Sequence, residues 1–210
     1  PVFVRPINFK RIFRKLINFK ILNFLIKPIL LIIESLIKNY NFKKSDDEIY
    51  FEKVCNFTND LSHLNLQMEK RFDIYPSREK SIFDWRFNKA PHKKYDIYIA
   101  KKKSQTLGYF VLSRTDMKNY DVLAIVDLFL CDKRLSTLQT ILNKIKSIGC
   151  YLNVDFICCI MNPKYSSKQL FKKNLFIRSN KSFTLIMHGL KQNKDIFDKW
   201  LVTWFDHDVV

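Results

Sequence analysis

Asp127 stands inside an apolar run, Leu123 to Leu130, where an ionised carboxylate is costly unless a cation or a donor meets it. Two roles are open to it. With its pKa lifted toward neutrality it is a general base, taking a proton from a nucleophile directly or through water. Paired with Arg86 or another arginine, it is half of a buried ion pair. Asp155, in the apolar run Val154 to Met161, has the same two roles open. Trp85 and Arg86 set a flat apolar face beside a planar cation, which suits a ligand carboxylate or sugar, or a stacked structural pair. Asp206, His207 and Asp208 form a compact carboxylate and imidazole cluster near the chain end, but no serine in a G-x-S-x-G setting accompanies them. Hydrolase chemistry is therefore not supported.

Histidines 63, 92, 188 and 207 show no HExxH or ligand-like spacing beside cysteines, and the sequence predicts no metal site. The five cysteines, Cys55, Cys131, Cys150, Cys158 and Cys159, are odd in number and form no C-x-x-C pair. They read as reduced thiols of a cytoplasmic protein.

The formal net charge of +17 invites a nucleic-acid or anionic-membrane partner. Its distribution argues against nucleic acid: residues 1–45 hold ten basic and one acidic side chain, net +9, leaving 27 basic and 19 acidic, net +8, in residues 46–210. The richness in Lys, Asn, Ile and Phe with only three Gly also fits A/T-rich coding, so drift and function both stand as sources of the charge.

These residues need elements to position them. A three-to-four spacing of Phe9, Ile12, Phe13, Leu16, Ile17, Ile21, Phe24 and Leu25 predicts a basic amphipathic helix, kinked or ended at Pro28, with a second helical run from Ile29 to Ile37. That segment, 9–38, suits contact with a membrane surface or packing against another domain. Polar residues 39–48 read as a linker. Beyond it the pattern predicts a strand over Ile49–Phe57, a helix over Asn59–Arg71, and a helix from an N-cap at Ser77 through Asn88. Strands follow at Tyr95–Lys101, Leu107–Arg114 and Val122–Leu130, then a helix over Leu135–Ile148 with Gly149 as its C-cap. A strand at Val154–Met161, a helix from Pro163 through Lys173, and strands at Phe176–Arg178 and Ser182–His188 complete the order.

Strand, helix, helix, three strands, helix, strand, helix, two strands resembles a GNAT-type N-acetyltransferase domain over residues 46–210. The stretch Ser77–Arg114 resembles the opening half of that family, with Trp85-Arg86-Phe87, the Pro91 to Tyr95 turn, and two strands joined through Gly108. The segment Trp200 to Asp208 resembles the closing motif of a branch of large bacterial GNAT-like proteins. On that resemblance the chain is the C-terminal part of a longer protein, and residues 1–45 are a basic helical extension trailing a missing upstream unit, often a second GNAT-like unit.

The resemblance implies an α/β fold with a mixed, mostly antiparallel twisted central sheet flanked by helices. It implies acetyl-CoA or another acyl-CoA threaded between the central strand and the next, against Leu128, Phe129, Leu130 and Asn162. The pyrophosphate would lie at Cys131 to Ser136, with Lys133 and Arg134 supplying charge. This turn lacks the Gly-rich form usual in the family. It also implies a Tyr that protonates the departing thiolate, in a pattern close to L-Y-x-K-x-G-F. Leu170 to Phe176 places Phe171 at that Tyr and Leu175 at the Gly, which leaves Tyr165 as the substitute acid. Asp127 would deprotonate the amine of a small acceptor held near Trp85 and Arg86, on a sugar or other cell-envelope precursor. The alternative is a catalytically degenerate GNAT-like binding or scaffolding module, to which the missing Gly-rich turn and Phe171 both point.

Overall fold

A computed structural model describes residues 2–16, 28, 32, 35, 46, 48–55, 62–72, 75, 77–89, 93–131, 134–160, 168–180, 201 and 203. In chain order these form β1 (Val2–Pro6), α1 (Phe9–Leu16), β2 (Ile49–Val54), α2 (Ser62–Glu69) and α3 (Lys80–Phe83), which runs on as a π-helical turn over Asp84–Asn88. Then come β3 (Tyr95–Lys102), β4 (Gln105–Met117), β5 (Tyr120–Leu130), α4 (Leu135–Tyr151), β6 (Phe156–Ile160), α5 (Lys168–Lys173) and β7 (Ile177–Arg178).

All seven strands join one sheet in the order β2-β3-β4-β5-β6-β1-β7. Only β5 and β6 run parallel; the other neighbours are antiparallel. The β4–β5 hairpin turns through Lys118 and Asn119, both at positive φ (54° and 67°), the backbone handedness that matches strand twist in a two-residue loop. Gly108 is obligatory in β4, because a Cβ there would meet the Phe129 carbonyl oxygen at 2.2 Å at a φ of +157°.

Period-two alternation gives the sheet two apolar faces. Ile97, Ile99, Tyr109, Val111, Val122 and Ala124 pack with Leu64 and Met68 of α2 and Phe83 of α3. Ala100, Phe110, Leu112, Leu123 and Ile125 pack with Leu138, Ile141, Leu142 and Ile145 of α4 and Phe171 of α5.

Phe9–Leu16 is helical, as its three-to-four spacing predicts, and the extended residues ahead of it join the sheet. Val2–Pro6 is a strand between β6 and β7, Phe3 facing both Cys159 and Arg178, so it belongs to the same sheet as residues 49–178. Helix α1 is fastened to the body by its cations: Arg11 and Lys15 both bind the buried carboxylate of Asp155, while Ile12 is buried. The run Ile29–Ile37 lies mostly outside the described residues, as does Ser182–His188. No helix of the described residues is long and apolar enough to cross a membrane.

Two helix boundaries also move. Helix α3 begins at Lys80 with Glu79 as N-cap; Ser77 only accepts the Glu79 amide at 3.3 Å. Gly149 sits within α4 instead of ending it, where a Cβ would come 2.9 Å from Ile157 Cδ1. The missing side chain lets the helix lie close on β6.

Candidate functional site

Among the described residues the β5–β6 ladder runs from Val122↔Phe156 to Ile125↔Cys159, whereas β5 stays paired with β4 to Leu130. Among the described residues, Val126–Leu130 therefore lean on β4 alone. Beside the last of these described pairs lies a bulge. Register shifts between Val111↔Asp127 and Leu112↔Ile125, leaving Val126 as the extra residue. Val126 packs in the same cluster as Tyr109, and Asp127 bonds to Tyr109, so two successive side chains turn to one face.

Helix α4 starts a short turn beyond β5. Its N-cap, Arg134, is extended (φ −70°, ψ 123°) and its first turn has no acidic residue and no side-chain cap. The leading N–H groups and the positive end of a 17-residue helix thus stand at the carboxyl end of β5. Arg134 is exposed. Lys133, Asn162 and Tyr165 lie outside the described residues.

Asp127, fully buried, is the centre of a polar cluster. Arg78 donates to it twice, Nε to Oδ2 at 3.1 Å and Nη2 to Oδ1 at 3.2 Å. The Tyr109 hydroxyl donates to Oδ2 at 2.6 Å, and the Thr203 hydroxyl and Leu128 amide donate to Oδ1 at 3.0 and 3.1 Å. Arg78 also donates to Thr203 Oγ1 at 3.3 Å, and its backbone N–H donates to the Asn65 side-chain oxygen at 3.2 Å. Burial first, then the Asp127 charge, pushes the Tyr109 phenol well above its ordinary value, so it stays a donor. Of the two roles open to Asp127, this is the ion pair, with Arg78 as the partner. Arg78, Tyr109 and Thr203 were not singled out in the sequence. The visible signal was Asp127 itself, whose position demanded a cation without saying which.

Asp155 takes the ion-pair role as well. Its fully buried carboxylate accepts from Lys15 Nζ at 2.8 Å, from the Asp121 amide at 3.0 Å and from Arg11 Nε. Burial alone would raise its pKa; the bonds from Lys15, Asp121 and Arg11 outweigh this and hold it below the ordinary value.

Trp85 is 65% exposed on the π-helical turn, and Arg86 lies near Tyr95. Phe83, Phe87 and Tyr95 pack edge to face beneath them, with ring centroids 4.5 and 4.9 Å apart. Leu128 and Leu130 are half-buried and Phe129 is buried, packed between Phe72 and Tyr109. The Leu130 carbonyl accepts from Arg71.

Phe171 is buried and meets Phe176 edge to face at 5.0 Å. Leu175, at the position where the family pattern has Gly, has φ +61°. The Phe176 N–H returns to Phe171 O and the Leu175 N–H to Lys172 O, both at 3.0 Å, a Schellman cap that normally recruits glycine. Asn174 and Gln139 exchange amide bonds of 2.9 and 3.0 Å beneath it, joining α5 to α4.

No family model matches the chain, and no curated protein matches it. Among solved structures it is similar to a GCN5-related N-acetyltransferase from Anabaena variabilis at 11% identity and TM-score 0.44, over 75% of this chain and 31% of that one. It is also similar to a functionally unknown conserved protein from Staphylococcus epidermidis at 8% identity and TM-score 0.48, over 84% of this chain and 56% of that one. The chain thus spans about a third and just over half of those two lengths. An aminoglycoside acetyltransferase from an uncultured soil metagenomic sample is similar at 11% identity and TM-score 0.46, over 70% of this chain and 99% of that one.

Proposed function

We propose that the chain binds an acyl-CoA where β5 parts from β6 and transfers the acyl group to an amine, as a GNAT-like acyltransferase. The observation that carries this reading is the Val126 bulge, with the last described β5–β6 pair at Ile125↔Cys159, in front of the N-terminus of α4. A linear thioester can lie along the backbone of Leu128, Phe129 and Leu130, with its pyrophosphate at the α4 amides, assisted by Lys133 and Arg134. Asn162 would complete the cofactor's far side, and Trp85 and Arg86 the acceptor's side.

In the transfer, the amine nitrogen attacks the thioester carbonyl, the C–N bond forms and the C–S bond breaks. The amine loses a proton and the thiolate gains one. We assign the thiolate's proton to Tyr165, since Phe171 has no acidic hydrogen. Asp127 holds the shape of the bulge through Arg78, Thr203 and the Leu128 amide, and water carries away the amine proton.

A second reading, a binding module without turnover, has specific support in the same place. Asp127 already accepts five hydrogen bonds among the described residues, and Phe171 is committed to the core. Calorimetric titration with acetyl-CoA tests the transferase reading: micromolar binding is expected, weakened about tenfold in a Lys133→Ala, Arg134→Ala double variant. No binding by folded chain overturns the transferase and favours the module. Thiol release with a panel of amines then separates them, since a module that only binds releases none.

A further inference from the structure

Arg71 stands just past the end of α2, where its own N–H and that of Phe72 both return to the Met68 carbonyl at 2.9 Å. Met68 is fully buried, so the turn that carries Arg71 is anchored in the core. The guanidinium lies over two rings, 5.7 Å from the centroid of Phe72 and 5.6 Å from that of Phe129, and Nη1 donates to the Leu130 carbonyl. Ring packing and one hydrogen bond thus hold a half-buried cation against two consecutive residues of β5 before any ligand arrives.

The side of β5 on which it lies follows from the peptide plane. The Cys131 N–H points at β4, donating to Leu107 O at 2.8 Å. In a trans peptide the Leu130 C=O points the opposite way, away from β4 and toward the side on which β6 pairs earlier along the strand. Arg71, bonded to that carbonyl, therefore stands beside β5 where the proposed function puts the thioester, at the end from which the chain enters α4.

Its charge stays uncompensated. Arg11, Arg78 and Arg114 each meet a carboxylate, Asp155, Asp127 and Asp121 in turn. Among the described residues Arg71 meets none, and the donors that Leu130 leaves over have no acceptor and are not sealed in the core. A guanidinium offers its N–H donors as a planar fork, so one carbonyl leaves most of the fork for an incoming anion.

We propose that Arg71 takes the pyrophosphate of the acyl-CoA at the carboxyl end of β5. The proposal rests on the acyl-CoA reading above and adds to it a side chain from α2, outside the turn that leads into α4. Two oxygens of a phosphate match the fork of an arginine. Thioesters that end short of the pyrophosphate lose this contact, so Arg71 selects for the whole cofactor.

The test is calorimetric titration of the native chain, Arg71→Gln and Arg71→Lys with acetyl-CoA and with acetyl-dephospho-CoA, which keeps the pyrophosphate and lacks the 3′-phosphate. The first variant keeps an amide donor for the Leu130 carbonyl and loses the charge; the second keeps the charge. Arg71→Gln should bind both thioesters about tenfold more weakly than the native chain, and Arg71→Lys should recover part of that loss. Native affinity in Arg71→Gln overturns the assignment and leaves the acyl-CoA reading standing, whereas no binding by the native chain overturns both. A loss confined to acetyl-CoA overturns the assignment too, since the contact would then be to the 3′-phosphate. Arg71→Lys binding no better than Arg71→Gln overturns it equally, because charge would then not matter. If Arg71→Gln does not fold, the native chain still decides: acetyl-CoA at about ten times its Kd should slow modification of Arg71 by phenylglyoxal about tenfold, read by peptide mass. An unchanged rate overturns the assignment.

Discussion

Arg78 and Asp127 meet through two nitrogen–oxygen contacts of 3.1 and 3.2 Å with neither side chain open to solvent, Arg78 coming from just ahead of α3 and Asp127 from the β5 bulge. The bulge lies beside the last described β5–β6 pair, so in the proposed function this ion pair fixes the shape of the cofactor split.

Removing one partner leaves an uncompensated charge in the core. Arg78→Met should cost about 3–5 kcal/mol in urea unfolding, and Asp127→Leu a similar amount. Joining the two substitutions should restore part of the loss, because no lone charge remains. A single-variant loss below about 1 kcal/mol would refute the arrangement.

Tyr109→Phe tests the neutral donor alone. It deletes the 2.6 Å bond to Asp127 while keeping the ring against Phe83. The expected loss is about 1–3 kcal/mol, since the carboxylate keeps its charge but loses a donor it cannot replace from water. Denaturant midpoints of the two proteins, at equal m-values, measure it.

Acid should loosen α1. Burial works to raise the Asp155 carboxyl, but Lys15, the Asp121 amide and Arg11 bring it below 3.8 in the folded chain. The unfolded chain therefore takes up this proton more readily. The stabilisation is fully present above the unfolded value, near 4, and is lost as pH falls through the lower folded value. Asp155→Asn should remove that part of the acid dependence, readable as flatter stability between about pH 5 and pH 3.

Gly149→Ala sets propensity against packing. A helix interior gains roughly 1 kcal/mol from the exchange, yet the new methyl would meet Ile157 at 2.9 and 3.1 Å. Because α4 and β6 are both confined, we expect a net loss of about 1–2 kcal/mol. Adding Ile157→Val removes the nearer atom, Cδ1, and should recover most of that loss in thermal unfolding.

Local patterns in the sequence carried the centre of the molecule. β3, β4 and β5 are consecutive hairpin strands, so period two and short turns suffice to place them, and α4 follows from Leu138, Ile141, Leu142 and Ile145 on one face. Long-range pairing was not written locally. Val2–Pro6 reads as extended, but nothing within it says that it lies between β6 and β7. The same limit applies to the site: Asp127 stands out by its apolar neighbours, whereas Arg78 sits 49 positions away in a polar stretch with nothing local to mark it as the partner. Leu175 shows a third limit, since a leucine at φ +61° gives no sign of the turn that a glycine would announce.

The position of β1 has a consequence in time. The partners of Val2–Pro6 are Phe156–Ile160 and Ile177–Arg178, so a chain emerging from the ribosome carries an apolar strand for more than a hundred residues before it can dock. Closing so long a loop is slow and comes late. The hairpins β3–β4 and β4–β5 can form in the meantime, while the β6 edge stays open to any extended apolar segment nearby. Assembly thus ends where the sequence begins, with insertion of an early-made strand as its final zip.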